Sequence, residues 1–455
     1  MNLITSPGYS LQGSVTLAGD KSISHRAALF SVLAEGESRI ENFPDSGVSQ
    51  VMLSALSALG VEWELSGSSL RVDGCGLTGL VPINAVINCG NSATALRLLA
   101  GVLAVAGIPA VLDGSKSLRR RPMGRIVKPL RAMGVQVEAQ QGWLDQDRIT
   151  APLRFARRDP GTKLEAINPC LHVASAQVKS CLLLAALAAD APTVIREPAV
   201  SRDHTERMLR CMGVEVRSEF LDSEGLQAVT LVPFSSLSLK PLRFSIPGDI
   251  SSAAFLMVAA LITPGSEISV KGVLLNPTRT GLLDALISMG ADIGIVPGGE
   301  INGEPFGDVT IRHSSLQSVQ IFGDQVVSMI DEFPAFSIAA AFAEGDSIVK
   351  DAKELRYKES DRISGLCIQL RALGVEVDEV HDGFIIHGGK GVQGGVVDPQ
   401  GDHRLAMAFS VAGCAAAGPV IVRNAEIIAE SYPGFVSTLQ SLGGVLTVKG
   451  PGDEG

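Results

Sequence analysis

The sequence predicts an α/β fold assembled from six copies of one small module. Three observations predict it. A phrase of the form Leu-x-x-(Leu or Met)-Gly, followed by an alternating polar and apolar run, recurs at 56–65, 130–139, 209–218, 286–295, 370–379 and 439–448. Its marker glycines, Gly60, Gly134, Gly213, Gly290, Gly374 and Gly443, lie 69 to 84 residues apart, so six modules fill the 455 residues. An Ala-rich segment, a Gly- or Pro-containing turn and a short strand precede each phrase, at 27–40, 96–112, 181–195, 254–270, 335–349 and 406–422. Short repeats of 20–50 residues build solenoids. This longer period, with two helices per copy, describes a compact α/β unit too small to bury both helices by itself.

Each element has a physical reason. In the recurring phrase an amphipathic helix ends, a Gly takes the left-handed cap position, and a half-buried strand follows. The Ala-rich segments are apolar nearly all round, which requires burial on most sides. The polar residues gather just before them: GDKSISHR (19–26), NCGNSAT (88–94), ASAQVKS (174–180), PGDISS (247–252), MIDEFP (329–334) and GDHR (401–404). A helix N-terminus presents unpaired N–H groups and about half a positive charge, so such ends suit anions. Helix capping accounts for Asn91 and Ser251. It does not account for Lys21, Arg26, Gln177 or Arg404 in the same places.

Composition narrows the function. Apolar residues make up 46%, aromatics 4% and charged residues 19%, so the core is built from Ala, Leu, Val and Ile, and disorder is excluded for most of the chain. A net charge of −10 argues against a broad nucleic-acid or anionic-membrane surface. Any anion site must then be a local cluster of Arg and Lys. Seven cysteines without a C-x-x-C pair suit a reducing cytoplasm, not a disulfide framework or zinc ribbon. The start, MNLITSPGYSLQG, lacks a basic and apolar leader pattern. The long uncharged stretch 405–422 contains Ser410, Gly413, Gly418 and Pro419 and reads as helix, turn and strand, not a membrane span.

Three clusters could bind anions: SKSLRRRPMGR (115–125), SRDHTER (201–207) and RYKESDR (356–362). Taken singly, each also fits a solvated charged face. His25, His204 and His403 have no metal-ligand spacing, which favours core or surface roles. Gly-x-Gly-x-x-Gly occurs at Gly74–Gly79 and Gly389–Gly394, but neither opens a helix, and no Gly-x-x-x-x-Gly-Lys-(Ser/Thr) is present.

Together the phrases D-K-S-I-S-H-R (20–26), G-N-S-A-T-A-L-R (90–97), R-P-M-G-R (121–125), A-S-A-Q-V-K-S (174–180), R-D-H-T-E (202–206), N-P-T-R-T-G (276–281), M-I-D-E-F-P (329–334), K-E-S-D-R (358–362) and D-H-R-L-A-M (402–407) resemble the 5-enolpyruvylshikimate-3-phosphate (EPSP) synthase family, in order and over nearly the whole chain. The M-I-D-E and R-D-H-T forms look like its second, glyphosate-tolerant class. The resemblance implies a two-domain, inverse α/β barrel-like fold of six βαβαββ repeats, three per domain. Residues 1–19 and 247–455 would form one discontinuous domain and residues 20–246 an inserted one. The crossings would carry hinge-capable turns at Gly19-Asp20 and Gly248-Asp249, and the site would lie in a cleft that closes on ligand.

The resemblance also implies the chemistry: the enolpyruvyl group of phosphoenolpyruvate passes to the 5-hydroxyl of shikimate 3-phosphate, with release of phosphate and no metal or organic cofactor. Lys21, Ser22, Arg26, Ser175, Ala176, Gln177, Arg202, Asp331 and Lys358 would hold shikimate 3-phosphate. Lys21, Ala93, Arg121, Gln177, Arg362 and Arg404 would hold phosphoenolpyruvate. Asp331, Glu359 and Lys21 would be catalytic. Ala93 replaces a Gly of glyphosate-sensitive members, so glyphosate is expected to bind weakly. A cytoplasmic monomer without nucleic-acid or membrane partners is expected. Two positions depart from the common pattern: Glu430 stands where many members carry a phosphate-binding Lys, and Glu354 where many carry Asn. Two rivals are weighed. The sister transferase acting on UDP-N-acetylglucosamine carries a reactive Cys near its Arg-Pro step, which 115–125 lacks. A non-catalytic binding protein on this fold would be expected to lose Asp331 or Glu359.

Overall fold

The structure is a computed structural model and describes residues 1–81, 86–141, 149–159, 161–221, 225–233 and 238–450. Its chain divides into two compact units: Met1–Asp20 with Pro247–Glu300 and Pro305–Gly455, and Lys21–Ile246 with Ile301–Glu304. The expected boundary placed Asp20 in the inserted domain. It belongs to the first unit instead, because its carboxylate is buried against Arg279 at 2.9 Å.

Six small sheets occur among the described residues, three in each unit. In the first unit the strand orders are Gly395–Val397, Val420–Val422, Asn2–Ser6, Val445–Lys449; then Asp292–Ile301, Glu304–Arg312, Glu267–Leu274, Gln12–Thr16; then Gln320–Ile321, Asp346–Val349, Gly383–His387, Glu376–Val380. In the second unit they are Arg243–Ser245, Glu35–Glu41, Ser69–Cys75, Trp63–Ser66; then Val86–Asn88, Ala110–Asp113, Ile149–Phe155, Val137–Gln141; then Thr193–Glu197, Leu226–Val232, Glu215–Leu221. In this last sheet Cys170 takes the fourth place as a single parallel bridge to Arg196.

In four of the sheets one parallel strand pair adjoins two antiparallel pairs. Glu267–Leu274 pairs in parallel with Gln12–Thr16 and antiparallel with Glu304–Arg312, and the three strands of the sheet containing Thr193–Glu197 pair antiparallel. Two lead strands are exchanged. Gln12–Thr16 precedes the first module yet pairs with Glu267–Leu274 of the fourth. Arg243–Ser245 precedes the fourth module yet pairs with Glu35–Glu41 of the first. The chain's own first strand, Asn2–Ser6, completes the sheet of the sixth module.

The two crossing segments are not turns. Gly19 and Gly248 form an antiparallel bridge, Asp20 N donates to Pro247 O at 2.9 Å, and Asp249 N donates to Ala18 O at 3.0 Å. Neither Gly takes a positive φ. The Gly-Asp steps expected to be hinge-capable turns are therefore extended backbone. The aspartates do the polar work there: Asp249 caps a helix and Asp20 pairs with a buried Arg.

The Ala-rich segments form helices Lys21–Leu33, Ala93–Ala106, Ala176–Ala186, Ile250–Ile262, Phe333–Phe342 and His403–Ala412. Ile250–Ile262 and His403–Ala412 are buried at every position, and in Lys21–Leu33 only Lys21 is not. Helices without a polar face fit only where neighbours cover them on all sides. In the first unit three of these helices pack on one another, and in the second Ala93–Ala106 lies against Ala176–Ala186. Gly101 makes that approach possible: a Cβ there would fall 2.7 Å from Cys181 O and 2.9 Å from Leu184 Cβ. The six marker glycines all have positive φ, at +79, +88, +96, +88, +82 and +107° in chain order. Such backbone at a helix end favours Gly because it has no Cβ. Residues 405–422 run as the end of a helix, a turn and the strand Val420–Val422, and among the described residues no helix is long and apolar enough to cross a membrane.

Candidate active site

All six polar phrases sit at the start of a buried helix, so each unit presents its own cluster. The capping residues are neighbours of those expected. Ser92, not Asn91, accepts the N–H of Ala95, and Asp249, not Ser251, accepts the N–H of Ser251 and Ser252. Asn91 instead accepts a hydrogen bond from Ser115 Oγ at 3.0 Å.

In the second unit, Lys21 and Ser22 open helix Lys21–Leu33, and Arg202 Nη1 donates to Ser22 Oγ at 3.3 Å. Arg26 lies one turn on and is buried. It donates to Thr205 Oγ1 at 2.8 Å, to the carbonyl of Ser22 at 2.9 Å and to Ser180 Oγ at 2.8 Å. Ser175 caps helix Ala176–Ala186, whose first two residues are Ala176 and Gln177. The Gln177 amide is held at both ends: its oxygen accepts from Arg97 Nη1 at 2.6 Å and its nitrogen donates to Thr94 Oγ1 at 2.9 Å. Arg97 also donates to Pro122 O at 3.0 Å, tying Gln177 to the segment that carries Arg121. Within the run of three, Arg119 and Arg120 are exposed, and Arg119 pairs with Asp113, whereas Arg121 is buried. Ala93 is the buried first residue of its helix.

In the first unit, Asp331, Lys358, Glu359, Arg362 and Arg404 come together. Asp331 Oδ1 accepts from Lys358 Nζ at 3.1 Å and Arg362 Nη1 at 3.3 Å, while Arg404 Nη1 reaches the Asp331 carbonyl at 3.3 Å. Arg362 is only 1% exposed. Its guanidinium donates to Glu359 Oε2 at 2.7 Å and grips Asp402 through Nε at 2.7 Å and Nη2 at 3.4 Å. Burial works to lower the Arg362 pKa, but Asp402, Glu359 and Asp331 outweigh it and hold the group above its ordinary value. Burial works to raise Asp402, and Arg362 overcomes it, leaving that carboxyl below the usual range.

Sequence reasoning gave no role to several residues of this framework. Arg279 in N-P-T-R-T-G is 1% exposed. It pairs with Asp20 at 2.9 Å, donates to Ser251 Oγ at 2.9 Å and lies 3.9 Å from Asp249. Ser251 Oγ in turn donates to Glu332, the neighbour of Asp331. Asp402, Arg97 and Thr94 were likewise passed over, although all stand inside the quoted phrases. A charged residue in a phrase that leads into an apolar helix was the available signal.

Cys89, the nearest thiol before the Arg run, is fully buried. Burial, with the Asp113 charge adding, pushes it up to about 12. At neutral pH it is a thiol, not the thiolate needed of a nucleophile.

The arrangement can neutralise substrates bearing several negative charges and can move protons at two carboxylates. Arg forks match carboxylate and phosphate, and positioned carboxyl groups can take or give protons. Comparisons with known proteins point the same way. The family model described as EPSP synthase (3-phosphoshikimate 1-carboxyvinyltransferase) matches residues 5–439. A 3-phosphoshikimate 1-carboxyvinyltransferase from Geobacter sulfurreducens is 42% identical over 97% of this chain and 99% of its own. One from a Roseiflexus species is 46% identical over 95% and 97%. An EPSP synthase structure from Acinetobacter baumannii superposes with a TM-score of 0.83 at 38% identity, covering 98% of this chain and all of that one. The enolpyruvyl transferase NikO from Streptomyces tendae, at 18% identity and a TM-score of 0.77, shares the fold. The chain belongs to the EPSP synthase family, the 3-phosphoshikimate 1-carboxyvinyltransferases.

Proposed function

We propose that this chain transfers the enolpyruvyl group of phosphoenolpyruvate to the 5-hydroxyl of shikimate 3-phosphate, giving 5-enolpyruvylshikimate 3-phosphate and phosphate. The step belongs to the shikimate pathway of aromatic amino-acid biosynthesis. The observation that carries the reading is the first unit's cluster, in which Asp331 and Glu359 share the buried Arg362, with Lys358 and Arg404 beside Asp331.

The reaction is addition followed by elimination. Asp331 takes the proton of the 5-hydroxyl as its oxygen attacks C2 of phosphoenolpyruvate, and Glu359 gives a proton to the methylene carbon, making a methyl group. In the second stage Glu359 takes a proton back from that methyl group, the double bond reforms as the C2–O bond to phosphate breaks, and the departing phosphate carries off the proton that Asp331 had taken, which restores both carboxyl groups. Lys21 offsets charge that develops on the phosphate. Lys21, Ser22, Arg26, Ser175, Ala176, Gln177 and Arg202, with Asp331 and Lys358, hold shikimate 3-phosphate. Lys21, Ala93, Arg121, Gln177, Arg362 and Arg404 hold phosphoenolpyruvate. Preorganised cations stabilise developing charge without reorganising at the moment of reaction. The M-I-D-E and R-D-H-T phrases and Ala93 support placement in the glyphosate-tolerant class. A cytoplasmic monomer belongs to the same reading, and all seven cysteines are free thiols.

The test is release of phosphate from phosphoenolpyruvate in the presence of shikimate 3-phosphate, with UDP-N-acetylglucosamine as the competing acceptor. Release with the sugar nucleotide alone would transfer the assignment to the sister enzyme. Release with neither acceptor would leave a binding protein.

A further inference from the structure

Lys179 in A-S-A-Q-V-K-S and Glu206 in R-D-H-T-E take no part in the reading above, yet both are buried and charged. With Glu197 they form a cluster whose side chains are 1, 0 and 0% exposed. Lys179 Nζ donates to Glu197 Oε1 at 2.7 Å and to the Ser201 carbonyl at 3.1 Å, and pairs with Glu206 Oε1 at 2.8 Å. Two of the three N–H donors of the ammonium are thereby used in hydrogen bonds, and Glu206 stands against the same ammonium as an ion pair. Glu197 ends strand Thr193–Glu197 and also accepts from Ser201 N at 3.1 Å and Ser201 Oγ at 2.7 Å. Glu206 lies in the first turn of helix His204–Cys211. One ammonium therefore holds both ends of segment 198–203, which carries Arg202.

The same ammonium stands on helix Ala176–Ala186, two residues after Gln177. Residues two apart on a helix point to nearly opposite faces, so one helix start offers Gln177 on one side and Lys179 on the other. The adjoining residues continue the lacing: Ser180 Oγ and Thr205 Oγ1 are 2.6 Å apart, and Arg26 donates to both. A buried ion cluster is a poor device for stability, since apolar groups of the same volume often serve as well or better. What it specifies is geometry. We propose that Lys179, with Glu197 and Glu206, is a positioning residue for shikimate 3-phosphate, setting Arg202 against Ser22 and the Ser175 helix start. The inference rests on the assignment of Arg202, Ser22 and Ser175 to that substrate.

The experiment measures the Kd of shikimate 3-phosphate by titration calorimetry, the KM of both substrates, and Tm. Lys179→Met alone would strand two buried carboxylates, so the main variant is the neutral Lys179→Met/Glu197→Gln/Glu206→Gln. It should fold and weaken shikimate 3-phosphate by roughly tenfold or more, the loss expected when one charge-assisted hydrogen bond to the ligand is misplaced. The KM of phosphoenolpyruvate at saturating shikimate 3-phosphate should stay within about twofold, since Lys179 faces away from Gln177. If the triple variant does not fold, Glu206→Gln alone, which preserves shape and the Lys179–Glu197 pair, should still weaken the Kd by about threefold or more. An unchanged Kd in either folded variant, or equal losses for both substrates, overturns the proposal. Arg202→Ala separates the two levels: a normal Kd there overturns the substrate assignment itself.

Discussion

Replacing Arg362 with Met should destabilise the protein strongly at neutral pH and far less in acid. The guanidinium contacts three carboxylates, of which Asp402 is fully buried and takes two of its N–H groups. Met keeps much of the volume and removes the charge, so Asp402 is left with the Arg404 N–H at 2.9 Å and the Ser360 hydroxyl at 3.4 Å. Removing one partner of a buried pair costs about 3–5 kcal/mol. At about 2–4 °C per kcal/mol for a domain of some 200 residues, Tm should fall by roughly 6–20 °C. The sign of the pH dependence follows from Asp402. In the wild type its folded pKa lies below the unfolded one, so its stabilisation is present above the unfolded value and fades as pH falls through the folded value. In the variant the largest influence opposing burial is gone, so burial raises the folded pKa relative to the wild type, and the loss grows as pH rises from about 4 towards 7. The assay is thermal or urea unfolding at pH 4.5 and 7.5, repeated with Arg362→Met/Asp402→Asn. Asn retains the cap oxygen, so the double variant should recover most of the loss. Equal losses at both pH values, or no recovery in the double variant, would refute the electrostatic account.

Four further outcomes are expected. Gly101→Ala should cost about 1–3 kcal/mol in unfolding experiments, since its Cβ would press on Cys181 O at 2.7 Å; an unchanged Tm would show that the two helices part easily. His387 lies between Asp346 at 2.9 Å and Asp378 at 3.2 Å, which raise its pKa. Its contribution, under about 1 kcal/mol for so exposed a group, is complete below the unfolded pKa of about 6.5 and lost as pH rises through the folded value; His387→Ala should flatten that part of the stability profile. Glu359→Gln should retain ligand binding and lose about 10²–10⁴-fold in kcat, and near-normal turnover would remove Glu359 from the mechanism. Ala93→Gly should gain glyphosate sensitivity by one to two decades in inhibition constant, the equivalent of about 1–3 kcal/mol for one methyl group in a packed site; equal inhibition of both proteins would dismiss the steric explanation.

What could be read in advance was what a local pattern encodes. The six positive-φ glycines and the six buried helices each follow from a short window: a Gly after an amphipathic helix, or an Ala-rich run without a polar face. The exchange of lead strands could not be read this way. Gln12–Thr16 and Arg243–Ser245 stand at equivalent places before a buried helix, and only their partners distinguish them, Glu267–Leu274 for one and Glu35–Glu41 for the other. Pairing over more than 200 residues leaves no mark on the strand's own composition. The Gly-Asp steps misled for a related reason. Gly-Asp is a turn signal when judged locally, but the opposite crossing segment supplies an antiparallel neighbour, and the backbone stays extended to bond with it.

The site shows a different kind of limit. Capping and substrate chemistry compete as explanations for the polar residues at the helix starts, and the structure shows that one carboxylate can cap a helix and hold a buried Arg at the same time. Asp402 Oδ1 accepts the backbone N–H of Arg404, and the two carboxylate oxygens together hold Arg362. Asp249 accepts the N–H groups of Ser251 and Ser252 while standing 3.9 Å from Arg279. The economy has a physical cause. A buried helix start has orphan N–H donors that favour an anion, and a buried carboxylate supplied to meet them has lone pairs to spare. Those lone pairs favour a cation, and an Arg bound there keeps N–H groups for a second anion. In Arg362 that second anion is Asp331 or Glu359. The helix start at Asp402 thus seeds a chain of alternating charge that runs from the backbone through Arg362 to the groups proposed to meet substrate, and Asp249 begins a similar chain through Arg279. A polar phrase before an apolar helix is better read as the first link of such a chain than as a choice between cap and catalyst.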